Sequence, residues 1–401
     1  MLNKKDIESF LKLGYFLDYK NPNYSFDFAK IDKQKYEKLS FVELKRIGAE
    51  LFINAISNLF ENDKEHVVPL SGGLDSRAIL AGLLEFTEAN KISTYTFGTP
   101  GTLDFDIGNK IAKVVGTNHI EFPLTEYEYN MDEMLDISKR IDHQTVLFHH
   151  PPVKEVLKEY GGKHIWSGFL GGELTDARHT DYNEDSIEEL FLKQNYYKKD
   201  SILLRNYSNE NLIEDLTFKS DNDLTDYEVL DYCNRQLKFI SPHVLMNGFQ
   251  FKVPFLDEEV LNFFWSIDNS FRKKQILYKE ILLESFPKLF SYPTKNNAGL
   301  SLNASKTQLL SKKISNRIKR KINNNVHVNY LDFNNKIREK KDMKNIVREN
   351  IYDLQNRDII SGLNVIEIFD KHINNKANFG EELLLLTSLE IHIKGKTLYS
   401  N

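Results

Sequence analysis

The amino-acid sequence predicts an α/β fold in which a parallel sheet carries helices on both of its faces. From His66 onward, short β-like runs alternate with segments whose apolar residues recur at helical spacing. The runs are rich in β-branched and aromatic residues, and several of them end in glycine. Alternation of this kind is typical of βαβ units, which build parallel sheets covered on both sides.

The predicted elements follow one another in a simple order. A helix is expected after Ser40, because serine is a common N-cap residue. The predicted strands are the runs HVVPLS, KISTYTFG, NHIEFPL and KHIWSGFLGG. A helix over residues 76–86 separates the first two strands, and DFDIGNKIAKVVG is a further helix that Asp104 is placed to cap. Beyond about residue 180 the pattern becomes mostly helical.

The length of 401 residues exceeds one ordinary hydrophobic core, so we expect more than one structural region. We predict an N-terminal segment with a lead-in helix at 1–60, the α/β domain at 61–300 and a helical, basic region at 301–401. Lysine and arginine are concentrated at 306–350. This stretch could contact nucleic acid, although a solvated helix face is the more ordinary interpretation.

Composition excludes several classes of protein. The net charge of -5 is mild and disfavours a nucleic-acid partner. Cys233 is the single cysteine, so an internal disulfide and a CxxC redox pair are both excluded, which fits a reducing cytoplasm. The sequence shows neither a signal peptide nor an apolar stretch of about 20 residues. We therefore predict a cytoplasmic protein with no membrane partner.

The stretch VVPLSGGLDSRAIL places two glycines between the first predicted strand and its helix. Ligands of open α/β sheets bind beyond the carboxyl ends of the strands. Gly72 and Gly73 would let a phosphate approach the backbone, and the following helix N-terminus favours an anion. The hydroxyls of Ser71 and Ser76 could add hydrogen bonds. The segment therefore predicts a phosphate-binding loop.

Asp75 adds a carboxylate to this loop. A carboxylate beside a phosphate is repulsive unless a cation bridges them, so Asp75 is a natural Mg²⁺ ligand. The alternative is an ordinary glycine-rich turn in which Asp75 and Ser76 merely cap the helix. The whole string S-G-G-x-D-S at a strand-to-helix junction favours nucleotide binding.

The string resembles the pyrophosphate-binding loop of the ATP pyrophosphatases, also called the PP-loop group, whose fold is adenine nucleotide α-hydrolase-like. This group includes asparagine, GMP, NAD and argininosuccinate synthetases, which split ATP between its α and β phosphates. The resemblance implies ATP and Mg²⁺ as cofactors. It also implies that ATP and pyrophosphate contact Leu70, Ser71, Gly72, Gly73, Asp75 and Ser76.

Further segments resemble the asparagine synthetase branch over about residues 45–305. TFGTPGTLDFDIGNKIAKVVGTNH resembles its second strand and helix, which implies that Phe97 and Gly98 contact the nucleotide. WSGFLGG resembles its Ser-Gly strand end, which implies the same for Ser167 and Gly168. GFQFKVPFLDEEVLNFF and FPKLFSYPTKNNAGLS resemble later signatures, and the second places Lys295 at the catalytic lysine. Taken singly, Phe97 could be a core residue, Lys295 a solvated loop residue and Asp257 a helix cap.

The sequence departs from this family in two ways. No catalytic cysteine follows Met1, so we expect no glutaminase activity in this chain. Phe169 stands where the family has a glutamate that resembles a general base. The second metal-binding aspartate is also displaced, and Glu173 is the best substitute, followed by Asp176.

Other side chains carry weaker signals. Arg77 could reach an anionic substrate or lie on its helix face. Three histidines near the expected substrate side, His143, His149 and His150, are most simply ordinary surface or core residues.

The resemblance implies an AMP-forming, ATP-dependent ligase that joins a carboxylate to an amine or ammonia, with β-lactam synthetase and lasso-peptide cyclase among similar proteins. The expected role is a biosynthetic or tailoring step. A separate glutaminase or a carrier partner could supply one substrate. Two alternatives stay open, a nucleotide-binding tRNA-modifying protein and a catalytically decayed relative. The oligomeric state stays open as well.

Overall fold

The computed structural model of the chain describes residues 2–176, 186–204, 208–216, 226–322 and 331–399. Five short strands, β1–β5, form a single sheet, and they are His66–Pro69, Ile92–Gly98, Asn118–Pro123, His164–Trp166 and Gln250–Lys252. All four strand pairings are parallel, and the spatial order is β3-β2-β1-β4-β5. The predicted α/β fold class is therefore confirmed.

Helices make up most of the remaining described chain. The first ten, α1–α10, are Lys4–Leu13, Phe41–Leu59, Asp75–Leu83, Leu103–Val115, Met131–Arg140, Val153–Tyr160, Gly171–Leu174, Ile187–Asn195, Glu210–Ile213 and Asp226–Leu230. The next ten, α11–α20, are Ser241–Val244, Glu258–Ser266, Asn269–Arg272, Ile276–Ser285, Pro287–Phe290, Lys306–Ile322, Phe333–Glu339, Lys341–Arg357, Val365–Ile373 and Gly380–Tyr399. A π-helical segment, Asp231–Ile240, joins α10 to α11.

The lead-in helix α2 begins where the sequence predicts. Ser40 Oγ accepts the backbone N–H of Glu43, and the Glu43 carboxylate accepts the backbone N–H of Ser40 in return. This reciprocal pair satisfies two N–H groups that the helix start would otherwise leave unbonded. A side-chain cap also begins α12, where the Asp257 carboxylate accepts the N–H groups of Glu259 and Val260, as the helix-cap interpretation expected.

Successive residues of β1 point to opposite faces of the sheet. Val68 packs into the large core formed with α2, α3 and α4, whereas Val67 packs with Val156 and Tyr160 of α6. Alternation of this kind follows from the two-residue period of a strand, and it leaves both faces covered by helices. The strand order reverses between β1 and β4, because the chain runs outward through β2 and β3 and later returns to add β4 and β5.

A second large core joins the two ends of the chain. The C-terminal helix α20 packs against α18, α5 and α1, and the apolar side chains of these helices form one buried cluster. Our division at residues 60 and 300 stays a prediction. None of the described helices combines the length and the apolar character that crossing a membrane would require.

Three details differ from the predicted elements. Strand β5 lies within a part of the chain that we expected to be helical, and it is only three residues long. Asp104 does not cap α4, because Thr102 occupies the N-cap position and Asp104 is the second residue of the helix. The basic stretch 306–350 forms parts of three helices, and its residues 323–330 lie outside the described part of the chain.

Candidate functional site

A cleft of about 530 Å³ opens at the carboxyl ends of β1, β2 and β4. It lies at the position where the strand order reverses, which is where open α/β sheets bind ligands. The volume falls within the range of about 300–1,000 Å³ that is usual for small-molecule sites. Seven of the predicted nucleotide contacts line it, namely Ser71, Gly73, Asp75, Ser76, Phe97, Ser167 and Gly168.

The loop after β1 is closed by its two serines. Ser76 Oγ accepts the backbone N–H of Ser71 at 3.2 Å and lies 3.3 Å from Ser71 Oγ, which itself accepts the N–H of Gly73 at 3.2 Å. Among the described atoms, a Cβ on Gly73 would meet only Ser71 Oγ and Asn296 Oδ1 within 4 Å. The loop therefore presents bare backbone to the cleft, as a phosphate cradle requires.

Gly72 faces the opposite way and fixes the loop to its surroundings. A Cβ at this position would lie 2.5 Å from the carbonyl oxygen of Leu103, so no larger residue fits. The Gly72 carbonyl accepts the backbone N–H of Lys295 at 2.7 Å. The loop is thus held between the start of α4 and a segment more than two hundred residues further along the chain.

Lys295 lies in the cleft lining, as the resemblance implies. Its ammonium Nζ lies 2.7 Å from Asp104 Oδ2, and its side chain is 39 % exposed. The other carboxylate oxygen of Asp104, Oδ1, is buried and has no hydrogen-bond partner among the described residues. The carboxylate that the sequence suggested as a helix cap thus holds the candidate catalytic lysine.

Arg77 behaves differently from both sequence interpretations. It is completely buried, and its guanidinium donates to the carbonyls of Leu289, Tyr292 and Pro293. Burial lowers the pKa of Arg77 to about 10, which leaves it charged at neutral pH. It neither reaches the cleft nor lies on an exposed helix face, and it ties α3 to the backbone just before Lys295.

Asp75, the first residue of α3, packs against the glycines that follow β4. A Cβ on Gly168 would lie 2.9 Å from Asp75 Cβ, and a Cβ on Gly171 would lie 2.7 Å from Asp75 Cγ. The Tyr278 hydroxyl donates to Asp75 Oδ1 at 3.1 Å. Burial raises the pKa of Tyr278 well above its ordinary value, and the Asp75 charge adds to this effect. Asp75 is therefore held rigidly at the cleft.

The remaining predicted contacts are divided between cleft and core. Phe97 lines the cleft beside Tyr95, whose ring centroid is 6.4 Å away. Ser167 Oγ accepts the N–H of Phe169 at 3.2 Å. Three predicted contacts, Leu70, Gly72 and Gly98, are not part of the cleft lining, and Leu70 is buried in the core. For Leu70 only the backbone could take part.

The candidate metal ligands do not form a complete cage. Glu173 lines the cleft with Asp75, but its Oε1 lies 3.7 Å from Arg235 Nη1. Asp176 lies outside the cleft lining and accepts the backbone N–H of Lys274. Among the described residues, His, Cys, Asp and Glu side chains form no group of three that could hold a metal ion. Mg²⁺ usually needs only one or two carboxylates when phosphate oxygens complete its shell, so Asp75 fits that arrangement.

Phe169 lines the cleft and is 5 % exposed, so its position offers packing and no proton acceptor. Two histidines, His149 and His243, also line the cleft. The Nε2 atom of His149 shares a hydrogen bond with the Tyr197 hydroxyl, at 3.2 Å. Burial lowers the pKa of His149 to about 3 and also lowers that of His243. His150 is buried outside the cleft lining, and His143 instead contacts the Ser138 hydroxyl.

Sequence reasoning missed four residues that shape this site. Asp104 and Tyr278 hold Lys295 and Asp75, while Asn296 and Arg235 line the cleft directly. Asn296 could have been found, because it follows the candidate lysine in the chain. Tyr278 and Arg235 carried no local signal, since their roles depend on contacts between residues far apart in sequence.

The fold and the site define an α/β protein with a glycine-rich turn at the switch point of a doubly wound parallel sheet. The asparagine synthase family model matches residues 48–154, which include β1, the loop and β2. A putative glutamine-hydrolysing asparagine synthetase 2 of Methanocaldococcus jannaschii is 25% identical over 207 residues, or 42% of this chain. The chain spans 39% of that relative's length. The resemblance to asparagine synthetases is confirmed over these segments.

Proposed function

We propose that this protein is an ATP-dependent carbon–nitrogen ligase that adenylates a substrate carboxylate, releases pyrophosphate and transfers the acyl group to an amine. The observation that carries the proposal is the meeting of three parts in one cleft. These parts are the Ser71–Gly73 backbone, the Asp75 carboxylate and the Lys295 ammonium. An anion cradle, a metal ligand and a fixed cation are together what phosphoryl-group chemistry requires.

Each part has a role that follows from its chemistry. The bare backbone at Gly73 and the N-terminus of α3 suit a pyrophosphate group. Asp75 would hold Mg²⁺, which supplies charge neutralisation to the phosphates when bound. Phe97 offers an aromatic surface in the cleft lining against which the nucleotide would pack. Lys295 would stabilise negative charge that develops as pyrophosphate leaves.

The proposed reaction has two steps. A carboxylate oxygen attacks the α-phosphorus of ATP, a new P–O bond forms, and the bond to the bridging α–β oxygen breaks with release of pyrophosphate. The amine nitrogen then attacks the acyl carbon, the C–O bond to AMP breaks, and AMP leaves. The nitrogen loses a proton in this second step, and Phe169 cannot accept it. Glu173 is the carboxylate of the cleft lining best placed to accept it, because their lowered pKa values make His149 and His243 weak bases.

Analysis of the nucleotide products tests the proposed reaction. The protein is incubated with ATP, Mg²⁺ and a panel of carboxylates and amines, and the nucleotide products are separated by chromatography. AMP and pyrophosphate are expected in equal amounts, whereas production of ADP and phosphate would contradict the proposal.

A matched pair of variants separates the site from general effects of charge. Asp75 and Asp132 both lie in the first turn of a helix, but only Asp75 lines the cleft. Calorimetry should show that Asp75→Asn weakens MgATP binding by at least about tenfold, as expected for loss of a metal ligand. Asp132→Asn should bind like the parent. Equal binding by both variants would argue against the assigned site.

A further inference from the structure

The helix α16 carries the start of the basic stretch and lies beside the cleft. It begins with a reciprocal cap, in which Ser305 Oγ accepts the backbone N–H of Gln308 and Gln308 Oε1 accepts that of Ser305. The Asn316 side chain, on the inner side of the helix, donates to the Ala298 carbonyl at 3.3 Å. Ala298 belongs to the same loop as Lys295, whose carbonyl accepts its backbone N–H. A partner bound to α16 would therefore sit next to the rim of the cleft.

Five side chains recur at helical spacing on the opposite side of α16 and form what we call its outer face. They are Lys306, Leu310, Lys313, Ile314 and Arg317. Positions three and four residues apart lie on one side of a helix, so these five form a single stripe. All five are exposed, with Leu310 at 62 % and Ile314 at 52 %. The outward side of a surface helix is ordinarily polar, so two neighbouring aliphatic side chains among cations indicate a binding surface.

The positive charge of the outer face has no acidic counterpart. From Lys306 to Arg317 the helix contains neither Asp nor Glu, and the three cations form no ion pair with any residue that the structure describes. Lys313 and Arg317 are four residues apart, a spacing at which like charges destabilise a helix. A partner that carries carboxylates would supply the negative charge that this face lacks.

The first turn of α14 continues the same surface. Ile276 is 47 % exposed and lies one turn before Lys279. Burial lowers the pKa of Lys279, Asp176 opposes this shift, and the charge of Lys313 adds to it. Lys279 and Lys313 are therefore close enough for each to feel the charge of the other. The combination of exposed aliphatic and basic side chains thus extends from one helix to the next.

We propose that the outer face of α16 is a docking surface for an acidic protein helix, one that carries carboxylates beside an apolar stripe. Recognition between helices uses apolar anchors at three- and four-residue spacing, and opposite charges around the anchors select the partner. Leu310 and Ile314 are the anchors, and the three cations of the outer face pair with the carboxylates. The surface is separate from the site of the proposed reaction.

Two other kinds of partner fit the outer face less well. Nucleic acid presents its phosphates along the backbone, and these offer nothing to Leu310 and Ile314. Helices that lie in a membrane interface carry a broad apolar side rich in Trp, Phe or Leu. The outer face instead has two aliphatic residues and three cations. This mixture favours a protein as the partner.

Binding of a synthetic peptide tests the docking surface without any need for turnover. The probe is an acidic helix of about 18 residues, or five turns, with leucines at three- and four-residue spacing and glutamates beside them. The control peptide has the same composition in scrambled order. Calorimetry on the full chain, at a salt concentration of about 0.15 M, should show that the ordered peptide binds at least about tenfold more tightly.

Substitutions on the outer face should weaken this binding. Leu310→Gln should weaken it by about tenfold, because an apolar anchor is lost. Lys313→Glu should weaken it at least as much, because an attraction becomes a repulsion. The matched controls are Val42→Gln and Lys113→Glu, an exposed aliphatic residue and an exposed lysine on other helices, and both should bind like the parent. Thermal melting of each variant establishes that it is folded.

Equal binding of the two peptides, or binding that Leu310→Gln leaves unchanged, would overturn the proposal. Vesicles of phosphatidylglycerol and phosphatidylcholine and a mixed-sequence DNA duplex test the other partners. Tighter binding of either probe than of the ordered peptide, lost in Lys313→Glu, would overturn the protein partner in favour of a membrane or a nucleic acid. The outer face does not line the cleft, so its variants should still form AMP, and failure of the ligase proposal would leave the peptide result unaffected.

Discussion

The Lys295 ammonium and the Asp104 carboxylate are joined at 2.7 Å, which links the loop after α15 to the first turn of α4. Asp104 is the less exposed partner, at 16 %, while Lys295 is 39 % exposed. An ion pair at such exposure adds little to stability, about 0–1 kcal/mol. The ion pair matters for position instead, because it holds the flexible Lys295 side chain at the cleft. There the Lys295 backbone N–H also donates to the Gly72 carbonyl of the loop after β1.

Replacing Lys295 by alanine should lower the rate of AMP formation by about 10²–10³, the effect expected when a charge-stabilising donor is lost. The melting temperature should hardly change, because the removed Lys295 side chain is 39 % exposed and its ion pair adds little to stability. Lys288→Ala is the control, since Lys288 is an exposed lysine of the same region outside the cleft lining. A Lys295→Ala enzyme with the parent's rate would remove Lys295 from the mechanism.

The Lys295–Asp104 ion pair also predicts how replacing Asp104 changes the rate of AMP formation. Asp104→Asn should lower the rate less than Lys295→Ala does, because the lysine stays present but is less well held. Adding Asp104→Asn to the Lys295→Ala enzyme should then have almost no further effect, as expected for two residues that act as a unit. The measurement is a double-mutant cycle on the rate of AMP formation. Additive losses would show that Asp104 acts independently of Lys295.

Arg77 predicts a large effect on stability. Arg77→Met should lower the free energy of unfolding by about 3 kcal/mol or more, because three backbone carbonyls lose a charged donor. Arg46→Met is the matched control, since Arg46 forms an exposed ion pair with Glu50 and should cost less than about 1 kcal/mol. Denaturant unfolding measures both. Similar losses for the two variants would contradict a structural role for the buried guanidinium.

Much of the fold could be predicted because its signals are local. Strands β1–β3 are apolar runs next to glycine or turn residues, and Ser40 and Asp257 cap helices through contacts within three residues. Strand β5 was not predicted, because a run of only three residues, Gln250–Lys252, is too short to show a periodic pattern. Its pairing with β4 is decided by long-range packing that no local pattern contains.

The candidate site likewise has a part that local sequence predicts and a part that depends on residues far apart in the chain. The loop from Ser71 to Ser76 could be predicted because its glycines, serines and aspartate are adjacent in sequence. The partners that hold it come from elsewhere, since Tyr278 is 203 residues from Asp75 and Asp104 is 191 residues from Lys295. Arg77 was misread for the same reason, because its burial depends on the carbonyls of a distant segment.

The two glycines that begin α7 should respond differently to alanine. A Cβ on Gly171 would lie 2.7 Å from Asp75 Cγ and 2.9 Å from the Phe255 ring, whereas a Cβ on Gly172 would meet only Asp75 Oδ2, at 3.7 Å. Gly171→Ala should therefore cost about 1–3 kcal/mol and weaken MgATP binding by displacing Asp75. Gly172→Ala should change stability by no more than about 1 kcal/mol. Equal tolerance of both substitutions, measured by unfolding and calorimetry, would show that Asp75 is not held as described.

His392 predicts how stability changes with pH. It lies in the core between α20 and α5, where its Nδ1 contacts the Ser138 hydroxyl and its Nε2 the Thr145 carbonyl. Burial, helped by the charges of His143 and Lys396 and opposed by the Thr145 carbonyl, lowers its pKa to about 3. The unfolded chain binds this proton near pH 6.5, so below that pH the unfolded state holds more protons than the native state.

The stabilisation that neutral His392 provides is therefore complete above about pH 6.5 and is lost as the pH falls toward 3. The loss is at most about 1.4 kcal/mol per pH unit for this one group. His392→Gln keeps a donor for the Thr145 carbonyl but does not titrate, so its stability should fall less steeply between pH 6 and pH 4.5. Denaturant unfolding at several pH values measures both slopes. Parallel curves for parent and variant would mean that His392 is protonated in the native protein, because only a proton difference between the two states can tilt the curve.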